Sequence, residues 1–301
     1  MPNITYRRTG ELLRKLFEIL MSQPDGLRAK NALAELANRI ELTEFEKGYY
    51  DSGSIRIDKI VRFATIDCAR AGWFLKNKGT WSITEEGRTA YNSYTDPETF
   101  YKEAVKLYGE WKRTQNQSAV ESPAVAEDDL SDESNKEVSI TFEQAEEQAW
   151  EEIQQFLREI NPYEFQELVA SLLRAMGYHV SWISPPGKDG GIDILAYGDP
   201  LGTRPPRIKV QVKRMEQAIT VDGLRSFMAL LSDDDVGLFV TTGSFTKDAR
   251  TEARTQEKRK ITLIDLERLF DLWIEYYTAL DDAARRRFPL RPIHFLAPEG
   301  K

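Results

Sequence analysis

Three polar side chains in the second half of the chain have the types and spacing of a cation-binding site. Asp193 stands at the start of a short apolar run, and Gln211 and Lys213 alternate with valine in a second run. Carboxylate and amide oxygens suit a hard divalent cation, and a nearby lysine can stabilise developing negative charge or position a water. The polar outer face of an amphipathic hairpin has the same spacing, so both interpretations stay open from spacing alone.

Two predicted strands carry these residues. In Arg207–Lys213, apolar residues alternate with Lys209, Gln211 and Lys213, which is the period of a half-buried strand. Gln211 and Lys213 therefore share one face. If the loop Asp199–Pro206 joins this strand to the one that follows Asp193, the aspartate lies beside that face.

A predicted helix precedes the strands and offers a fourth polar residue. Asn161 is a favoured N-cap and Pro162 a favoured first helical residue. At about 100° per residue, Gln166 lies on the border of the apolar stripe, whereas Glu167 points away from it. Gln166 is therefore the residue of this helix best placed to reach the site.

Asp189 is the nearest candidate for a second carboxylate. It precedes two glycines in a predicted turn, and aspartate beside glycine is common turn chemistry. We favour the turn-forming role for Asp189 and keep the metal ligand as its alternative.

Length and composition place these residues in a chain with two domains. The chain has 301 residues, of which 41% are hydrophobic, enough for two separate cores. The sequence shows neither a long apolar run nor the apolar segment of a signal peptide, and Cys68 is its single cysteine. We therefore expect no membrane span, no disulfide framework and a cytoplasmic location.

The charge is distributed unevenly, although the whole chain carries a net charge of -8. Residues 1–115 hold 19 basic and 16 acidic side chains, residues 116–160 hold 2 and 13, and residues 161–301 hold 20 and 20. Because the middle segment supplies the acidic excess, any polyanionic partner must be attracted by local basic patches.

The first domain has the pattern of a winged helix-turn-helix. Three predicted helices, the third over residues 54–71, precede a hairpin around Asn77 and Gly79. In such a module the third helix enters the major groove while the hairpin touches the backbone. The candidate DNA contacts on this helix and hairpin are Arg56, Lys59, Arg62, Lys76 and Lys78. Ordinary solvated surface charge is the alternative.

An acidic segment follows the first domain. Residues 116–140 have few large apolar residues and are predicted to form a flexible linker. A helix is predicted from Thr141, with an apolar face that includes Phe142, Ala145 and Ala149 and a polar face that is strongly acidic. We expect the apolar face to pack against the second domain or the hinge, and we assign the helix no chemistry.

The remaining elements predict an α/β sandwich with a mixed sheet. One helix and three strands come first, followed by alternating helices and strands that include the continuous apolar strand VGLFVTT. The predicted boundaries are residues 1–115 for the first domain, 116–140 for the linker and 141–301 for the second domain.

Four motifs in this order, PYEFQELVASLLRAMGY, GKDGGIDILA, RIKVQVKR and GLFVTTGSFTKDA, resemble the catalytic domain of the Mrr restriction endonucleases. These form a branch of the PD-(D/E)xK nucleases with a QxK variant. The stretch that ends in GTWSITEEG resembles the Mrr N-terminal winged-helix domain. The resemblance implies a restriction-endonuclease-like mixed-sheet α/β/α domain after a winged helix-turn-helix domain.

The resemblance further implies Mg²⁺-dependent hydrolysis of DNA phosphodiester bonds, in a family associated with restriction of modified, methylated DNA. Asp193 and Gln211 would be metal ligands, and Lys213 would orient the nucleophile or stabilise the charge that develops on phosphorus. In related nucleases a glutamate commonly stands where this chain has Gln166, which departs from the pattern and leaves one certain carboxylate.

The predicted partner is double-stranded DNA. Candidate phosphate contacts near the site are Arg204, Arg207, Lys209 and Arg214, with a solvated basic face as the alternative. A double-strand break needs two cuts, so we expect a homo-oligomer. Two other functions stay open, namely a DNA-binding protein with a weakened nuclease fold and a structure-selective nuclease that cuts junctions.

Overall fold

The computed structural model describes residues 4–50, 53–118, 128–187, 190–257 and 259–295. The chain divides into two compact units, one of Met1–Trp150 with His294–Lys301 and one of Glu151–Ile293. No helix in the described ranges is both long enough and apolar enough to cross a bilayer.

The helices and strands follow one another along the chain in an order close to the predicted one. The helices are α1 Tyr6–Met21, α2 Ala29–Arg39, α3 Glu44–Lys47, α4 Arg56–Arg70, α5 Glu85–Ser93, α6 Pro97–Ser118, α7 Asp128–Glu159, α8 Pro162–Ala175, α9 Val221–Met228, α10 Lys247–Thr255, α11 Leu266–Glu275 and α12 Asp282–Arg287. The strands are β1 Leu27–Arg28, β2 Phe74–Asn77, β3 Thr80–Ile83, β4 His179–Ile183, β5 Ile194–Tyr197, β6 Arg207–Lys213, β7 Asp235–Thr241 and β8 Lys260–Ile264.

The first unit has the predicted winged-helix arrangement. Its antiparallel sheet has the order β1-β3-β2, and α4 matches the predicted third helix to within two residues at each end. The β2–β3 hairpin turns at Lys78 and Gly79, which both have positive φ, as a two-residue type I′ turn requires. Leucine and other aliphatic side chains, together with aromatic rings such as the fully buried Trp81, fill the core between the helices and this hairpin.

The acidic helix differs from the prediction in two respects. Helix α7 begins at Asp128 rather than Thr141, so residues 128–140 of the expected linker are helical. The expected inward face was also wrong in the part before Trp150, because Phe142 is 42% exposed whereas Glu143 and Glu147 are each 7% exposed; nearer the end of the helix, Leu157 and Ile160 are buried as expected. Apolar periodicity identified the helix but not the side that packs.

The second unit contains a five-stranded mixed sheet with the order β4-β5-β6-β7-β8. Strands β4, β5 and β6 pair antiparallel, and β6, β7 and β8 pair parallel. This is the mixed-sheet α/β fold that the sequence predicted. Because β6 is the central strand, residues at its carboxyl end are held between the end of β7 and the loop that leads into β5.

Candidate active site

Asp193 lies immediately before β5 and is anchored to β6 from both its main chain and its side chain. Its main-chain N–H donates to Val210 O at 2.8 Å, and the Val212 N–H donates to Asp193 Oδ2 at 2.7 Å. The Asp193 side chain is 6% exposed. Hydrogen bonding from a main-chain amide fixes the position of one carboxylate oxygen.

Gln211 lies beside this carboxylate on the central strand. It is 8% exposed, and its Nε2 donates to Gly191 O at 2.9 Å, which leaves Oε1 as the ligand atom of the amide. Gly191 has φ +87°, and a Cβ there would meet Leu230 Cδ1 at 2.8 Å. The turn before Asp193 therefore packs closely on Gln211, and only glycine fits this conformation without strain.

Lys213 follows on the same face of β6, one alternation beyond Gln211, as the sequence predicted. Its side chain is exposed, while its main chain is fixed by the parallel register with Thr241 and by the Thr242 N–H, which donates to Lys213 O at 3.1 Å. The structure thus gives this lysine a rigid base and a head group in contact with solvent.

Gln166 is buried beneath the site and bonds to the main chain. Its Nε2 donates to Ser184 O at 2.9 Å and to Asp193 O at 3.3 Å. The amide therefore holds the end of β4 against the start of β5. A glutamate could not make these bonds, because an ionised carboxylate has no hydrogen to donate.

The donor set fits a magnesium ion. Mg²⁺ commonly binds through one or two carboxylates and completes its shell with waters and substrate phosphates, and here Asp193 and Gln211 offer oxygen ligands from adjacent strands. Within the described residues, no group of three or more histidine, cysteine, aspartate or glutamate side chains is placed to hold a metal. Asp189, the candidate second carboxylate, lies outside the described residues.

Two expected phosphate contacts have protein partners. Lys209 is 8% exposed, and its Nζ donates to Leu230 O at 2.6 Å and pairs with Asp235 at 2.8 Å. Arg207 Nε donates to Asp235 Oδ1 at 2.8 Å. Burial raises the pKa of Asp235, but hydrogen bonds from both cations outweigh it and hold the pKa well below its usual range. The prediction of Lys209 as a phosphate contact was wrong, since Asp235 and Leu230 already bind its ammonium.

The other two expected contacts are accessible. Arg204 is exposed, and its main-chain N–H donates to Asp199 Oδ2 at 2.9 Å. Arg214 is exposed and donates from Nη1 to Arg158 O at 2.6 Å. These two arginines stay predicted phosphate contacts.

In the part of the first unit that the structure describes, α7 contacts four of the five predicted DNA-contact residues, all except Arg56. Arg62 is 5% exposed, with Nη1 2.9 Å from Glu143 Oε1 and Nη2 2.9 Å from Glu147 Oε2. Lys76 Nζ donates to Glu143 Oε2 at 2.7 Å, and burial lowers the pKa of Lys76 against the effect of that carboxylate. Sequence reasoning identified these basic residues but missed their acidic partners.

The remaining members of this set also have protein contacts. Lys59 donates to Glu137 Oε1 at 2.7 Å, Lys78 Nζ lies 5.3 Å from the centre of the Trp150 ring, and the Arg56 guanidinium lies 4.5 Å from the centre of the Phe45 ring. We define the surface formed by Lys59, Arg62, Lys76 and Lys78 as the basic face.

Comparison with known proteins identifies both units. Residues 157–273 match the family model described as a restriction endonuclease, and residues 10–93 match the model of the Mrr N-terminal domain. A solved structure, the MspJI restriction endonuclease in complex with a 27-mer oligonucleotide, shares 18% identity with a TM-score of 0.30. That similarity covers 57% of this chain and 42% of the MspJI chain. No curated protein matches the chain.

Proposed function

Since this chain belongs to the Mrr family of restriction endonucleases, we propose that it hydrolyses DNA phosphodiester bonds with the help of Mg²⁺. The observation that carries the proposal is the anchoring of Asp193 to Val212, which puts the carboxylate on the strand segment that also bears Gln211 and Lys213. The restriction-endonuclease match, residues 157–273, includes Asp193, Gln211 and Lys213 as well as Val212.

We assign the oxygens of Asp193 and Gln211 to the cation. A bound Mg²⁺ would supply Lewis-acid chemistry, which lowers the pKa of a bound water and screens charge on phosphate oxygens. The Val212 N–H orients the Asp193 carboxylate, and the bond from Gln211 Nε2 to Gly191 O turns the amide oxygen toward the ligand side. Gln166 is a positioning residue, because it acts through the main chain of Asp193.

Lys213 acts on the reacting phosphate in this proposal. Its exposed ammonium can hold the attacking water or stabilise the negative charge that develops in the transition state. Arg204 and Arg214 bind neighbouring backbone phosphates, which gives affinity and register without sequence information. The first domain, residues 1–115, binds duplex DNA, and the catalytic residues all lie within 141–301.

We further propose that the substrate is modified foreign DNA, cut in the cytoplasm by a homo-oligomer, since two active sites are needed for a double-strand break. The test is incubation of the full chain with methylated and unmethylated plasmids in Mg²⁺ or EDTA, beside Asp193→Ala and Lys213→Ala. We expect Mg²⁺-dependent cutting that both substitutions abolish and that is faster on methylated plasmid. Cutting that persists in both variants would refute the site assignment.

A second candidate is a DNA-binding protein with weakened catalysis. It is favoured by the single carboxylate in the described donor set and by the commitment of Gln166 to two main-chain carbonyls. DNA binding with no cutting of either plasmid, and no heat of Mg²⁺ binding, would select this alternative. Branched substrates in the same assay separate a junction nuclease, which would cut them in preference to linear duplex.

A further inference from the structure

The contact between α7 and the basic face is complementary in charge along the helix. Glu143 and Glu147 bind Arg62, and Glu143 also accepts a hydrogen bond from Lys76. At Lys136 the charges are reversed, since here α7 supplies the cation and α4 the carboxylate. Lys136 Nζ donates to Asp67 Oδ1 at 2.6 Å. A helix that carried acidic charge only for solubility would have no reason to place a lysine opposite this buried aspartate, so the pairing is specific.

Helix α7 also accepts hydrogen bonds from the wing strand and from α2. Trp81 Nε1 donates to Glu143 Oε1 at 2.7 Å, and the Lys30 main-chain N–H donates to Glu147 Oε1 at 3.1 Å. At the tip of the wing, a Cβ on Gly79 would meet Glu147 Cγ at 2.7 Å. The helix thus lies on α4, on the start of α2 and on the wing turn at once.

The choice of residues on the packed side of α7 is informative. The buried positions, Ile140, Glu143, Glu147 and Trp150, repeat at intervals of three and four, yet the two central ones are acidic. Apolar residues would cover a permanent interface at least as well, because the desolvation of an ion pair offsets much of its attraction. Moreover, Arg62 Nε is buried without an acceptor among the described residues. This surface is therefore better suited to exchanging anionic partners than to a permanent core.

We propose that residues 136–150 of α7 occupy the DNA-binding surface of the first domain, and that duplex DNA binds this surface by displacing them. This inference rests on the proposed function, since it takes DNA as the ligand. Arg62 and Lys76 cannot hold carboxylates and phosphates with the same N–H groups, so the two occupants exclude each other. The first domain can then bind DNA only after α7 has been displaced.

The first test compares binding of a fluorescent 30-base-pair duplex to the full chain in EDTA, where no cutting occurs. The variant Glu143→Gln/Glu147→Gln weakens the hold of α7 and should bind about tenfold more tightly than wild type. The control Glu151→Gln/Glu152→Gln removes the same charge from exposed positions of the same helix and should change affinity little. Adding Arg62→Gln and Lys76→Gln to the first variant should abolish the gain.

Equal affinity of wild type and the Glu143/Glu147 variant, or an equal gain in the control pair, overturns the proposal. So does an absence of DNA binding in wild type and variant alike. Circular dichroism and melting curves establish that each variant is folded.

The second test uses wild type alone and is independent of variant folding. Hydrogen–deuterium exchange of residues 136–150 is measured with and without saturating duplex, and we expect faster exchange when DNA is bound. Unchanged or slower exchange on DNA binding overturns the proposal. If α7 is released but plasmids are never cut, the proposed nuclease function fails while this inference stands. If plasmids are cut without release of α7, this inference fails while the nuclease function stands.

Discussion

The main-chain N–H of Val212 donates to Oδ2 of Asp193 at 2.7 Å. On β6, Val212 stands between Gln211, a proposed metal ligand, and Lys213, the proposed catalytic lysine. The hydrogen bond therefore fixes the aspartate to the residue between these two. Because the hydrogen bond joins side chain to main chain, the Asp193 carboxylate keeps its place beside the β6 main chain whatever rotamer Lys213 adopts. Four predictions build on this and on related contacts.

Asp193→Asn keeps the size of the side chain and removes its charge. We expect Mg²⁺ affinity to fall about 100-fold, because the only described carboxylate of the donor set is lost. Isothermal titration calorimetry measures this directly. Asp233→Asn, at an exposed position of the same unit, is the matched control and should bind Mg²⁺ like wild type. Equal Mg²⁺ affinity in the two variants would move the metal site elsewhere.

Lys213→Met removes the ammonium and keeps most of the aliphatic length. We expect kcat to fall roughly 100- to 1000-fold, with little change in KM for DNA, since the charge is needed chiefly in the transition state. Steady-state cleavage of plasmid at saturating Mg²⁺ gives both constants. Lys260→Met, an exposed lysine on β8, serves as control. A higher KM with unchanged kcat would make Lys213 a binding residue only.

Local patterns predicted where several of the proposed site residues lie in the fold. The period of two in β6 put Gln211 and Lys213 on one face, and Asn161 caps α8 through its Oδ1, which accepts from the Tyr163 N–H. Such features depend on neighbours in sequence. The partner of Lys209 could not be found in this way, because Asp235 belongs to the next parallel strand, 26 positions further on, and its approach depends on the sheet register.

Gln166→Glu tests why this chain departs from the glutamate of related nucleases. We expect the free energy of unfolding to fall by about 1 to 3 kcal/mol, because a carboxylate there faces the carbonyls of Ser184 and Asp193 with no hydrogen to offer. Urea unfolding measures the change, and the exposed Gln217→Glu is the control. Unchanged stability combined with tighter Mg²⁺ binding would instead make position 166 a ligand position.

Asp235→Asn tests the buried pairing with Arg207 and Lys209. At pH 7 we expect a loss of roughly 3 kcal/mol in the free energy of unfolding. Since the pKa of Asp235 is lowered by folding, its contribution is present above its unfolded pKa of about 3.9 and is lost as pH falls toward the folded value. The stability difference between wild type and variant should therefore shrink below about pH 4.

The exposed neighbour Asp234→Asn is the control for this series, and denaturation at several pH values supplies the curve. A difference that stays constant from pH 7 to pH 3 would mean that Asp235 stabilises the fold through shape rather than charge.

The sequence predicted the winged-helix fold better than it predicted how α7 packs on it. Helices α1, α2 and α4 and the hairpin of the first domain follow from spacing and from the Lys78–Gly79 turn, whereas the short α3 and α5 were not predicted. The packed side of α7 does not, because a periodicity that counts only apolar residues selects Phe142 and passes over Glu143 and Glu147. The packed side could have been predicted from the spacing of Glu143 and Glu147, which lie on the same side of the helix as Ile140 and Trp150.

The carboxylates of Glu143 and Glu147 have a thermodynamic consequence for any DNA that reaches the basic face. Ordinarily each phosphate that a protein cation neutralises sets free condensed small ions, which makes binding steeply weaker as salt rises. Here the two carboxylates, once displaced, would attract sodium or potassium ions from solution. Part of the counterions released from the duplex would therefore be bound again. Binding by the intact chain should therefore respond to ionic strength less steeply than the number of its phosphate contacts would suggest.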